Sequence, residues 1–77
     1  MIRYAIINRS KAIDYGISTF AHRVKDDRII INESEVINNV ALEGTYDERI
    51  EKLDGKSYNE TEIFNIINEG GWNYDRI

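Results

Sequence analysis

Three times in the second half of the chain an Asn or Thr is followed three residues later by Glu: Asn32 with Glu35, Thr45 with Glu48, and Asn59 with Glu62. At that spacing the first side chain accepts a hydrogen bond from a backbone N–H inside the first helical turn. The Glu reaches back to the N–H of the first residue, so two groups that a helix start leaves unpaired are satisfied together. Apolar residues at helical intervals follow each pair. Val36, Ile37 and Val40 follow the first, and that helix is expected to end near Asn38 and Asn39. Tyr46, Ile50 and Leu53 share one face after the second, with Gly55 placed as its C-terminal cap. Ile63, Phe64, Ile66 and Ile67 follow the third in the best amphipathic pattern of the chain, which Gly70 and Gly71 stop. The second half therefore reads as three short helices.

The first half follows a different period. Residues 2–8 form a near-continuous apolar run broken only by Arg3, the mark of a central strand covered on both faces. Residues 9–19 have no steady period and contain Asp14-Tyr15-Gly16; they read as a loop with at most one helical turn around 10–14, capped by Ser10. Residues 20–25 and 28–32 flank Asp26-Asp27, the length of a two-residue hairpin turn, and Ile29-Ile30-Ile31 is the most strand-like triplet. The tail, residues 72–77, alternates aromatic and polar side chains, as a short edge strand or a docked extended tail would.

Strands first and helices after predict an α+β fold. The expected architecture is a small antiparallel sheet of about three strands, with two to three short helices from the C-terminal half packed on one face. The chain has 77 residues and shows no repeat, low-complexity tract or linker, so one small globular domain (1–77) is expected.

Hydrophobic residues make up 42% of the chain, which favours a folded domain over disorder. No window approaches the length of a membrane span, and the N-terminal apolar run is too short for a secretory signal. A soluble, cytoplasmic protein without a membrane partner is the expectation. The absence of cysteine removes disulfides, a thiolate nucleophile, cysteine-held zinc and Fe–S clusters.

The net charge of −4 hides an asymmetry. Residues 1–28 carry six basic groups against three acidic ones, whereas residues 29–77 carry four against eleven. The simpler reading is that the two parts fold against one another or against a second copy. A basic face for a polyanion is the alternative, though an excess of three positive charges is small beside the roughly six to ten phosphate contacts of a strong DNA binder.

The inventory for bond chemistry is short. A hydroxyl nucleophile needs an adjacent base that a third group orients, and the one imidazole is His22. Ser18 lies nearby in sequence but without a nucleophile-elbow motif. The carboxylate pairs Asp26/Asp27, Glu33/Glu35, Asp47/Glu48/Glu51 and Glu60/Glu62 fall at turns and helix starts, where negative charge is favoured electrostatically. The five glycines form neither a dinucleotide fingerprint nor a phosphate loop, and no calcium-loop pattern is present. No catalytic residue, cofactor or metal ligand is assigned. An enzyme built on this chain would need a concave site gathering His22, Tyr15 and at least one carboxylate.

Two groups of residues are candidates for contact with macromolecules. Arg23 and Lys25 project from one face of the second strand, and His22 and Val24 from the other. Arg28 lies across the turn, and Arg9 and Lys11 follow the first strand. A basic ribbon of this kind can enter a major groove, but the sequence pI near 4.9 and the lack of a basic helix in the second half weigh against nucleic acid. Trp72 and Tyr74 are either an interface element or a strap closing the core beneath the third helix. The run from Glu62 to Trp72 resembles the helix-then-Gly-Trp close of some small domains and implies no activity. The sequence therefore leads to a non-enzymatic interaction or accessory domain, expected to form a homodimer, with a nucleic-acid-binding regulator as the alternative.

Overall fold

The computed structural model describes residues 2–75. The elements run β1 (Arg3–Asn8), α1 (Arg9–Asp14), β2 (Arg23–Lys25), β3 (Arg28–Asn32), α2 (Glu33–Ile37), α3 (Tyr46–Lys52), β4 (Lys56–Asn59), α4 (Glu60–Asn68) and β5 (Asn73–Tyr74). All the pairings are antiparallel, and the strands lie in the order β4-β1-β3-β2-β5. The class is α+β, as expected, but the sheet has five strands rather than three, and four helices are described.

The helices are not confined to one face. Successive strand residues point to opposite sides of a sheet, so an uninterrupted apolar triplet needs cover on both. Ala5 and Ile7 of β1, with Ile29 and Ile31 of β3, face a core closed by Ala12 of α1, Val36 of α2, Ile50 of α3, and Leu42 and Leu53. Ile6 and Ile30 point the other way and are covered by Ile63 of α4, with Tyr4, Tyr58, Ile66, Ile67 and Trp72 packed around them. The result is a sheet between a three-helix face and a one-helix face. The central position expected for β1 follows from this arrangement, with β3 on one side and β4 on the other.

Several local expectations need correction. Residues 9–14 form α1, and its cap is Asn8, whose side chain accepts the Lys11 N–H at 3.0 Å; Ser10 lies inside the helix. β2 begins at Arg23 rather than residue 20, because Ala21 takes a left-handed φ of 64° and breaks the strand. Gly55 takes part in the α3 C-terminus but is not its left-handed residue. α3 runs to Lys52 with Leu53 as its C-cap, Asp54 takes the left-handed φ of 51°, and the Gly55 N–H donates to the Ile50 carbonyl at 3.0 Å. Gly55 is required for close approach instead: a Cβ there would lie 2.6 Å from Ile7 Cγ2 and 2.9 Å from the Ile6 carbonyl oxygen.

The helix starts behave as the spacing predicts. Thr45 and Glu48 exchange hydrogen bonds at 3.0 and 3.2 Å, and Asn59 and Glu62 do so at 2.9 and 2.8 Å. At α2, Glu35 accepts the Asn32 N–H at 2.9 Å. The Asp26-Asp27 turn joins β2 to β3, with Asp26 at a left-handed φ of 53°. The tail supplies β5 at the sheet edge; Arg76 and Ile77, the end of that predicted segment, lie outside the described residues.

Part of the charge asymmetry is met within the chain. The ion pairs Arg3–Glu33, Arg9–Asp75 and Arg28–Asp54, and the hydrogen bond between His22 and Glu35, each join the basic first part to the acidic second part. No described helix is long and apolar enough to cross a membrane.

Candidate functional site

The two faces of the sheet are unequally covered. Five strands side by side span about 19 Å, whereas one helix with its side chains covers about 10 Å. α4 lies over β1 and β4, held there by Ile63, Ile66 and Ile67. After α4 the chain turns at Gly70 and Gly71, both at left-handed φ, and places Trp72 against the Ile6–Ile30–Ile63 cluster before pairing with β2 as β5. Between α4 and the β2–β5 edge this leaves a groove of about 300 Å³.

Ile30 and Ile63 form the floor of the groove. Phe64 stands on the α4 wall and Tyr74 on the strand wall, and both are large apolar groups left in water, 65% and 51% exposed. The Arg23 guanidinium carbon lies 4.5 Å from the centre of the Tyr74 ring, so the strand wall is at once aromatic and cationic. Glu60, in the first turn of α4, brings a carboxylate to the opposite wall.

His22 lines the same groove, but its ring nitrogens are occupied. Nδ1 lies 3.1 Å from the Phe20 carbonyl oxygen, and Nε2 lies 2.9 and 3.1 Å from the Glu35 carboxylate oxygens. Both ring nitrogens therefore have partners within the chain, one backbone carbonyl and one carboxylate. Tyr15 packs against the three-helix core, so the set of His22, Tyr15 and a carboxylate is not gathered in one place. Glu33, Glu35, Asp47, Glu48, Glu60 and Glu62 all lie in first turns of helices. Among the described residues no three His, Cys, Asp or Glu side chains converge to hold a metal ion.

The fold brings some of the basic candidates together. Arg23 and Lys25 pair with Ile30 and Arg28 in the β2–β3 register, which puts all three basic residues on the one-helix face. Each also has an internal contact. Lys25 donates to the Gly70 carbonyl at 3.3 Å, Arg28 donates to the Ile6 carbonyl at 3.3 Å and lies 3.6 Å from Asp54, and Arg23 stacks on Tyr74. Arg9 and Lys11 belong to α1, where the Arg9 side chain is bonded to Asp75. Of the aromatic pair, Trp72 is packed and Tyr74 is half in solvent.

The sequence pattern groups Phe64 with the apolar face of α4 and Glu60 with the helix-start carboxylates, and assigns neither to a site; in the structure Phe64 is 65% exposed and both line the groove. Ile63, Ile66 and Ile67 alone are spaced as a single helical stripe, and Phe64 lies beside it. No protein family, curated protein or solved structure matches this chain.

Proposed function

We propose that this chain is a small, non-enzymatic association domain that forms a homodimer, alone or as an accessory part of a larger assembly. The observation that carries the reading is the half-covered sheet face, where Phe64 and Tyr74 stand exposed over an apolar floor. Large aromatic groups beside a desolvated pocket are the residue types that dominate association energies. The contacts at both His22 nitrogens support the non-enzymatic part of the reading. Sedimentation equilibrium from about 10 to about 300 μM tests self-association; a constant mass of one chain across that range removes it.

A nucleic-acid-binding role is the second reading, favoured by Arg23, Lys25 and Arg28 sharing one face. Their internal contacts weigh against it, because those contacts must be exchanged for phosphate. Fluorescence anisotropy with mixed DNA and RNA oligonucleotides at about 50 mM salt is the test, and no change at about 50 μM protein ends this reading.

A further inference from the structure

We propose that the groove is filled by a second copy of this chain, related by a two-fold axis running along it, so that α4 of each copy lies on the uncovered half of the other's sheet. This rests on the self-association proposed above and assigns its surface. The uncovered half is the width of one helix, since five strands span about 19 Å and α4 covers about 10 Å of them. A two-fold axis along the groove carries the α4 wall of one copy onto the strand wall of the other. Phe64 then meets Tyr74 twice, once from each side, as a self-complementary interface requires.

Charge selects this arrangement over helix against helix. α4 carries Glu60 and Glu62 in its first turn and contains no basic residue, and Glu69 follows it directly. Two such helices face to face would set acid against acid. The uncovered half of the sheet displays Arg23 and Lys25, so α4 of one copy meets the opposite charge on the other, with Glu60 against Arg23. A pair of this kind must bury about 500 Å² or more per copy, about a tenth of the 5016 Å² that one chain exposes.

The test is a charge exchange followed by sedimentation. Arg23→Glu and Glu60→Arg each place like charges across the axis and are expected to weaken the wild-type dimer about tenfold or more. Mixed in equal amounts, the two variants are expected to pair, because in the mixed dimer both contacts again join opposite charges. Misfolded chains would not regain pairing in this way, and far-UV circular dichroism of each variant checks the fold directly. Phe64→Glu provides a second, uncharged-to-charged disruption that should leave a folded monomer.

A wild-type dimer that persists at unchanged affinity in all three variants overturns the assigned surface and leaves self-association standing. Folded variants that are monomeric alone and fail to pair in the mixture overturn the two-fold arrangement. A wild-type chain that stays monomeric at about 300 μM overturns both proposals. If that monomer also raises the anisotropy of an oligonucleotide, the face belongs to nucleic acid.

Discussion

The Arg9 guanidinium donates a hydrogen bond of 2.9 Å to the Asp75 carboxylate, joining residues 66 positions apart. The two partners differ in setting: the Asp75 side chain is 11% exposed and that of Arg9 is 37% exposed. Removing Arg9 leaves a shielded carboxylate without its cation, whereas removing Asp75 leaves a guanidinium that water can reach. Arg9→Ala is therefore expected to cost about 2 kcal/mol and Asp75→Ala about 1 kcal/mol, read as midpoint shifts in urea unfolding. Equal costs would show that the exposure difference has no energetic weight.

Arg49 closes the chain between α2 and α3. Its Nη1 donates to the carbonyls of Val36, Ile37 and Asn39 at 2.8–3.1 Å, and its Nε donates to that of Gly44 at 3.0 Å. These carbonyls include ones that a short helix leaves unpaired at its end. Arg49→Met keeps the stem and removes the donors, and is expected to cost about 2–3 kcal/mol. Arg49→Lys should restore less than half of that loss, since an ammonium cannot reproduce the spread of the guanidinium donors. Chemical denaturation of the three proteins measures the order.

A single methyl group has opposite effects at two places. Ala21 holds a left-handed φ of 64° that glycine adopts without strain, so Ala21→Gly is expected to stabilise by about 0.5–1 kcal/mol. Gly55→Ala forces a Cβ to within 2.6 Å of Ile7 Cγ2, and is expected to destabilise by about 2–3 kcal/mol. Thermal unfolding of both variants beside the wild type reads the two signs.

Glu48 gives the fold an acid sensitivity. The Thr45 backbone N–H, then the Thr45 hydroxyl, and more weakly the Lys52 charge hold its carboxyl below the ordinary value of 4.5; partial desolvation opposes them. A carboxyl whose folded pKa is depressed contributes stability that is present above its unfolded pKa and is lost as pH falls through the folded one. Glu48→Gln keeps the reciprocal cap but cannot titrate. The wild type should therefore lose more melting temperature than Glu48→Gln between about pH 6 and about pH 3. Parallel loss in the two proteins would contradict this account.

The sequence made the local elements legible where a short-range rule determines them. The pairs Asn32/Glu35, Thr45/Glu48 and Asn59/Glu62 mark α2, α3 and α4, and Asp26-Asp27 marks the hairpin. β4 was missed because Lys56-Ser57-Tyr58-Asn59 has no apolar alternation; it is a strand only because Ala5 and its neighbours pair with it. Two-sided burial of β1 implies cover on both faces of the sheet, which helices on one face alone cannot supply. Of the candidate site, Arg23 and Tyr74 were legible as residue types. Their stacking with each other, and their position opposite Phe64 and Glu60, depend on β5 joining β2, which no motif encodes.

The strand order has a consequence for how the chain reaches this state. Ile6 lies beside Ile30, 24 positions on, but beside Lys56 only 50 positions on, so one flank of β1 can zip up with the hairpin well before the other finds its neighbour. Until that happens, the most apolar strand presents an open row of backbone donors and acceptors, a template for pairing with another chain. Docking of the polar strand β4 therefore ends a window of aggregation risk. Substitutions that weaken β4 should show themselves as clumping during refolding sooner than as lost stability of the finished molecule.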